Sequence, residues 1–188
     1  WIMGVDPKFK YMEQYREFMR RYSGRKTVIA LVKRGRDFAE IEDYYTAAIH
    51  FRAALCIDPD NLHAMYSYAR VCRELYLAGE SEEYIGRFKA ESIEFFELIT
   101  LIHPRHALSH YYLGYCYVNM GLYVKAKLAW EQFLRMSRNS KDSKEIRGRL
   151  QEIAQPVRIE EGCNAVLSGR YELGIEILEP FLQTKFKD

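Results

Sequence analysis

The chain has 188 residues, 48% of them hydrophobic, 14% aromatic and 29% charged, with 28 basic residues nearly balancing 26 acidic ones. That balance suffices to bury about 70% of the unfolded chain's surface, which excludes a disordered or collagen-like protein. A formal charge of +2 supplies no bulk electrostatic reason to bind nucleic acid or an anionic membrane, although a local patch is compatible with either. The longest apolar run, Thr27 to Val32, is far too short to cross a bilayer.

Apolar residues recur at helical spacing throughout, without sustained period-2 alternation and without an Asn-Gly or Asp-Gly hairpin turn. The predicted fold class is therefore all-α. Asp6-Pro7 is expected to open the first helix, on which Tyr11, Tyr15, Phe18 and Tyr22 form one stripe until Ser23-Gly24 ends it. Further helices are predicted at 27–41, 44–57, 62–78, 82–102, 107–120, 123–137, 143–154, 157–168 and 171–185, about ten in all. Cys56, Cys72, Cys116 and Cys163 are scattered and form no CxxC pair. They read as reduced thiols in a reducing compartment, which points to the cytoplasm.

Self-similarity organises these helices. Counted from Val28, the residues Leu31, Gly35, Phe38, Tyr44, Ala47, Phe51, Ala54 and Pro59 stand at offsets 4, 8, 11, 17, 20, 24, 27 and 32. Counted from Ala107, the residues Gly114, Tyr117, Gly121, Tyr123, Ala126, Trp130 and Phe133 stand at 8, 11, 15, 17, 20, 24 and 27. Small residues at 8 and 20 allow two antiparallel helices to approach closely, and large ones at 24 and 27 are expected to fill the gap to the next hairpin. A second copy over 62–106 carries Met65, Tyr68, Ala69, Cys72, Ser92, Phe96, Ile99 and Pro104 but is eleven residues longer. The extra length must enter its helices or their loop. A fourth copy over 155–188 has Gly162, Ala165, Gly169, Tyr171, Gly174, Leu178 and Phe181 in place, with Arg158 and Glu161 where apolar residues are expected.

This 34-residue pattern, carried by AAIHFRAALCIDPDN and YYLGYCYVNMGLYVKAKLAWEQFL, resembles the tetratricopeptide repeat (TPR) family. The resemblance implies a right-handed α-solenoid of antiparallel hairpins. Residues 1–26 are then an N-terminal helix packing on the array. Residues 27–154 hold three repeats, 28–61, 62–106 and 107–140, closed by a capping helix at 143–154. That helix is expected to be opened by an Asp142–Glu145 capping box and to pack through Ile146, Leu150 and Ile153. Gln155-Pro156 is expected to break the chain direction and begin a fourth repeat, 155–188, the start of a second array. Its exposed face must pack on the cap, on another subunit or on further sequence.

No Gly-rich phosphate loop, GxSxG elbow or ordered nucleophile and base is present, so no catalytic activity and no cofactor are expected. His103, His106 and His110 place two imidazoles one helical turn apart, but no HExxH motif follows, and an inter-repeat turn explains their spacing better than a metal. Most of the aromatic rings fall on core offsets, which favours packing over base stacking. In the TPR family, first helices line a concave groove. Carried onto this chain, that groove presents Lys33, Arg36, His63, Tyr66, Arg70, Arg73, Tyr111, Tyr112, Tyr115 and Asn119.

Guanidinium forks and flat phenols make an adaptable peptide-binding wall, so the expected partner is a protein or peptide, acidic or C-terminal, with no membrane partner. The alternative is a solvated basic face. The clamp used by chaperone-binding TPR domains is not reproduced, because its positions hold Val32, Arg36, Ser67, Leu108 and Tyr112. The leading expectation is thus a non-enzymatic scaffold for protein–protein interaction. Its rivals are a nucleic-acid-binding repeat using Lys33, Arg36, Arg70 and Arg73, and a docking or regulatory domain of a larger protein. Homo-oligomerisation through the terminal repeat is a further expectation.

Overall fold

A computed structural model describes the backbone of residues 1–137 and 141–185, and side chains within those ranges as far as residue 182. Residues 138–140, which end the third copy, and 186–188, which end the fourth, lie outside the described residues. Every described secondary-structure element is helical, as the spacing predicts. The chain divides into two compact units, Trp1–Pro104 and Arg105–Asp188.

The first unit contains α1 (Ile2–Val5), α2 (Met12–Tyr22), α3 (Gly24–Glu40), α4 (Tyr44–Ile57), α5 (Leu62–Ala78) and α6 (Glu82–Ile102). Its core is built from Phe51, Met65, Tyr68, Cys72, Phe88, Phe96 and Ile99, all essentially inaccessible to solvent. Three helices start at the polar residues expected to cap them. Asp43, Asn61 and Ser81 accept hydrogen bonds from the backbone N–H of Thr46, Ala64 and Tyr84 at 3.1, 3.0 and 3.3 Å. The longer second copy places its extra residues in the helices, since α5 and α6 run to 17 and 21 residues with only three residues between them.

The N-terminus departs from expectation. Asp6-Pro7 does not open a long helix, because the Asp6 carboxylate accepts the Lys8 backbone N–H at 3.0 Å and turns the chain. α2 begins only at Met12, and a separate helical turn, α1, packs on α4. Ser23 ends α2 as expected, but Gly24 already belongs to α3.

The second unit contains α7 (Ala107–Val118), α8 (Tyr123–Met136), α9 (Lys141–Glu152), α10 (Ala154–Leu167) and α11 (Tyr171–Lys185). Leu113, Cys116, Trp130, Phe133, Ile146, Ile153, Val157 and Ala165 are buried there. Asp142 is not a cap but the second residue of α9, and Glu145 does not reach back toward it; its carboxylate accepts the Tyr115 and Tyr111 hydroxyls instead. Pro156 does not separate α10 from the cap. It sits in the first turn of α10, where a backbone N–H has no intrahelical partner to lose.

The hairpin of α10 and α11 packs through α10 on α8 and α9. Glu160 and Glu161, the latter at an offset expected to be apolar, explain how. Glu160 accepts the backbone N–H of Val124 at 2.9 Å, supplying the cap that Leu122 cannot, and Glu161 pairs with Lys127 at 3.4 Å.

Three of the 34-residue copies share two local geometries. Each has a glycine at offset 8 lying under the large residue at offset 24 of the same hairpin. A Cβ on Gly35 would stand 2.7 Å from the Phe51 ring, one on Gly162 would stand 2.6 Å from Leu178, and one on Gly114 would overlap the Trp130 indole. Gly35 and Phe51 meet from opposite sides of the short α3–α4 turn, so the two helices run antiparallel.

Each copy also has a left-handed residue at offset 15: Glu42 (φ 61°), Gly121 (φ 72°) and Gly169 (φ 77°). The residue that follows donates its N–H five residues back, Asp43 to Phe38, Leu122 to Tyr117 and Arg170 to Ala165, at 2.9–3.0 Å. That is the Schellman closure of a helix C-terminus.

Two substitutions with opposite signs test these positions in urea unfolding. Gly114→Ala is expected to lose about 1–3 kcal/mol through overpacking against Trp130. Glu42→Gly is expected to gain up to about 1 kcal/mol, because only there does a residue with a Cβ occupy the left-handed turn.

Candidate functional site

In the first unit, α3 and α5 lie side by side and leave an open cleft between them. It comprises two adjoining hollows of about 640 and 360 Å³ that share Val28, Ile29, Asn61 and His63. Val28, Ile29 and Val32 form an apolar strip along α3, and Ile29 is 61% exposed despite being aliphatic. Cations flank that strip: Arg25 at one end, Lys33 and Arg36 at the other. Arg20 of α2 donates its Nε–H to the Ile57 carbonyl at 2.8 Å, closing the C-terminal turn of α4 at the cleft's edge. Asp37, Glu40 and Asp58 are the acidic side chains on its walls.

Of the groove residues read from the sequence, Lys33, Arg36 and His63 are brought together on this cleft, all three exposed. Arg70 and Arg73 lie two to three turns further along α5, about 10 and 15 Å from His63 at the helical rise. Arg70 is exposed, while half-buried Arg73 pairs with its neighbour Glu74 at 3.1 Å. Tyr66 is half-buried and sets its ring edge-on to Phe96.

The remaining four groove residues lie in the second unit, Tyr111, Tyr112 and Tyr115 on α7 and exposed Asn119 at its C-cap, and Tyr112 is half-buried with its ring against Tyr111. Tyr111 and Tyr115 are packing residues as well as surface ones. Their rings meet Phe133 and Trp130 edge-on, and the Tyr115 hydroxyl donates to Glu145 of α9 at 2.5 Å. Burial first, then that bond to a carboxylate, hold the Tyr115 phenol well above its usual range.

Sequence reasoning did not find a polar cluster joining α4, α5 and α6. The Tyr68 hydroxyl donates to the Glu91 carboxylate and accepts from Arg52 Nε at 3.0 Å. Arg87 Nε holds the other Glu91 oxygen at 3.0 Å, and the Cys72 thiol lies 4.0 Å from the first. Burial, reinforced by the Glu91 charge, pushes both the Tyr68 phenol and the Cys72 thiol far above their ordinary values. A thiol so held is inert as a nucleophile. The cluster is thus a bolt between three helices. No sequence motif announces it, because Glu91 lies 23 residues from Tyr68 and reads as a solvent-facing charge.

The three histidines are not gathered for a metal. His106 turns Nδ1 to the Ser109 hydroxyl at 2.8 Å, and among the described residues no group of three or more His, Cys, Asp or Glu side chains is placed to hold an ion. Among them, too, no helix is long and apolar enough to cross a membrane.

No protein-family model and no curated protein matches the chain. The cleft and the hairpins that frame it are therefore read on their own residues.

The Tyr68 bolt gives a pH test with a defined sign. The folded protein holds this phenol above the value it takes when unfolded, so its contribution is complete below about pH 10 and declines above it. Urea midpoints are expected to fall with rising pH above about 10, and Tyr68→Phe is expected to flatten part of that fall.

Proposed function

We propose that this chain is a non-enzymatic TPR-like scaffold, a right-handed α-solenoid of helical hairpins that binds a protein segment on the first unit. The shared offsets 8, 15 and 24 support the repeat assignment, since each recurs with the same local geometry in three copies. What carries the binding assignment is the convergence of Lys33, Arg36 and His63 on a cleft where the aliphatic side chain of Ile29 is exposed. An apolar strip beside fixed cations suits a segment that alternates apolar side chains with carboxylates, or one that ends in its own C-terminal carboxylate.

The apolar contact contributes affinity, and the cations contribute register and rate of encounter. Asp37 and Glu40 add discrimination, because they repel a ligand whose carboxylates fall in the wrong register. A nucleic-acid ligand fits this cleft less well, since Ile29 and Val32 occupy the place where a phosphate backbone needs polar contact.

Fluorescent synthetic peptides of matched apolar content, with acidic or basic flanks, test the reading by anisotropy. The acidic set is expected to bind more tightly. Lys33→Ala and Arg36→Ala are each expected to weaken it by up to about tenfold, less at high salt. Equal binding of both sets, or no change in either variant, would contradict the assignment.

A further inference from the structure

The stripe of rings that the spacing assigns to α2 is not a core face. Met12 is the buried side of that helix, whereas Tyr11, Tyr15, Phe18 and Tyr22 are exposed, Phe18 by 57% and Tyr22 by 66%. At 100° per residue these four rings fall within a narrow arc that runs the length of the helix, about a quarter-turn from Met12. Glu13 and Glu17 lie on the far side of the helix from that arc. Residues 1–26 hold seven basic side chains against three acidic ones, whereas the other 162 residues hold 21 against 23. Arg16 pairs with Glu13, and Arg20 and Arg25 line the cleft of the first unit, which leaves Lys8, Lys10, Arg21 and Lys26 as exposed cations of this segment outside the cleft. The whole-chain charge of +2 conceals this segregation.

We infer that α2 is a peripheral membrane-surface helix that lies flat on an anionic lipid interface, with Tyr11, Tyr15, Phe18 and Tyr22 at headgroup depth and Lys8, Lys10, Arg21 and Lys26 against lipid phosphates. The combination of an aromatic stripe with a basic surround is what an interfacial helix requires, because rings with polar tips favour the boundary and neither signal alone anchors stably. Ring geometry separates this occupant from single-stranded nucleic acid. Stacked bases need open ring faces, but Lys10 lies over Tyr11 and Arg21 over Tyr22, and Phe18 and Tyr22 tilt toward each other at 4.7 Å. A lipid boundary needs only the outward edges and hydroxyls, which remain available. The inference concerns a different surface from the peptide cleft and holds whether or not that cleft is occupied.

Co-sedimentation of the full chain with vesicles of phosphatidylserine and phosphatidylcholine, compared with phosphatidylcholine alone, tests it. Binding to the anionic vesicles only is expected, falling by about tenfold or more in Phe18→Ser/Tyr22→Ser and in Lys10→Glu/Arg21→Glu. All four side chains are exposed, so circular dichroism and the thermal midpoint are expected to remain those of the parent, and the charge pair tests the claim even if the ring pair perturbs folding. Three results would overturn the inference. One is no sedimentation with anionic vesicles at low salt. Another is sedimentation that neither double variant weakens. The third is that the variants abolish a solution dimer, or binding to oligouridylate, while the parent ignores both kinds of vesicle.

Discussion

A helix hairpin closes most tightly where one helix carries little or no side chain under the bulk of the other, and in three hairpins of this chain a glycine supplies that position at a fixed interval. Gly35 under Phe51, Gly114 under Trp130 and Gly162 under Leu178 are each sixteen residues apart. Around Gly114 the fit extends to polar atoms, since the Trp130 indole N–H donates to the Tyr111 carbonyl at 3.0 Å. The second copy solves the same problem differently. Ala69 takes the glycine's place, and the buried Ser92 hydroxyl donates to the Ala69 carbonyl at 2.9 Å, so a small polar residue meets the backbone without a cavity or an unpaired group. With the hairpins set by these contacts, the first helices are held close enough for α3 and α5 to frame the cleft.

Polar contacts then fix what apolar packing leaves loose. Arg52, Tyr68, Glu91 and Arg87 bind three helices of the first unit through one buried phenol, and removing Arg52 or Glu91 takes a partner from that buried hydroxyl. In the second unit, Glu160 caps α8 from a helix 36 residues away, and Glu145 collects two tyrosine hydroxyls. These carboxylates accept from backbone and phenol donors and so tie one helix to another. The cleft differs in kind, because Lys33, Arg36 and His63 face outward around exposed Ile29.

Most helix positions and the buried Phe51, Trp130 and Phe133 are legible because hydrophobic spacing encodes them directly. Gly35 and Gly114 were legible as close-approach sites for the same reason. Glu42 was not, since nothing in a glutamate signals a left-handed turn except its alignment with Gly121 and Gly169. Arg158 and Glu161 looked like departures from the repeat, yet Glu161 and its neighbour Glu160 make the contact with α8, which depends on tertiary placement. The α2 stripe shows the converse failure. Helical spacing marks a ring face correctly but does not say whether anything covers it. Of the ten candidate groove residues, Lys33, Arg36 and His63 meet on the cleft, whereas Tyr111 and Tyr115 stand at outward offsets but turn their hydroxyls to Glu145 of α9, a contact that spacing does not signal.

The dependence of the three 34-residue hairpins on a Cβ-free contact is tested most directly by a double-mutant cycle on Gly35 and Phe51. Phe51→Leu removes the ring that an alanine at 35 would strike, so the cost of Gly35→Ala should shrink when both are changed. A favourable coupling of about 1 kcal/mol or more in urea unfolding is the predicted result. Strict additivity of the two substitutions would contradict the account.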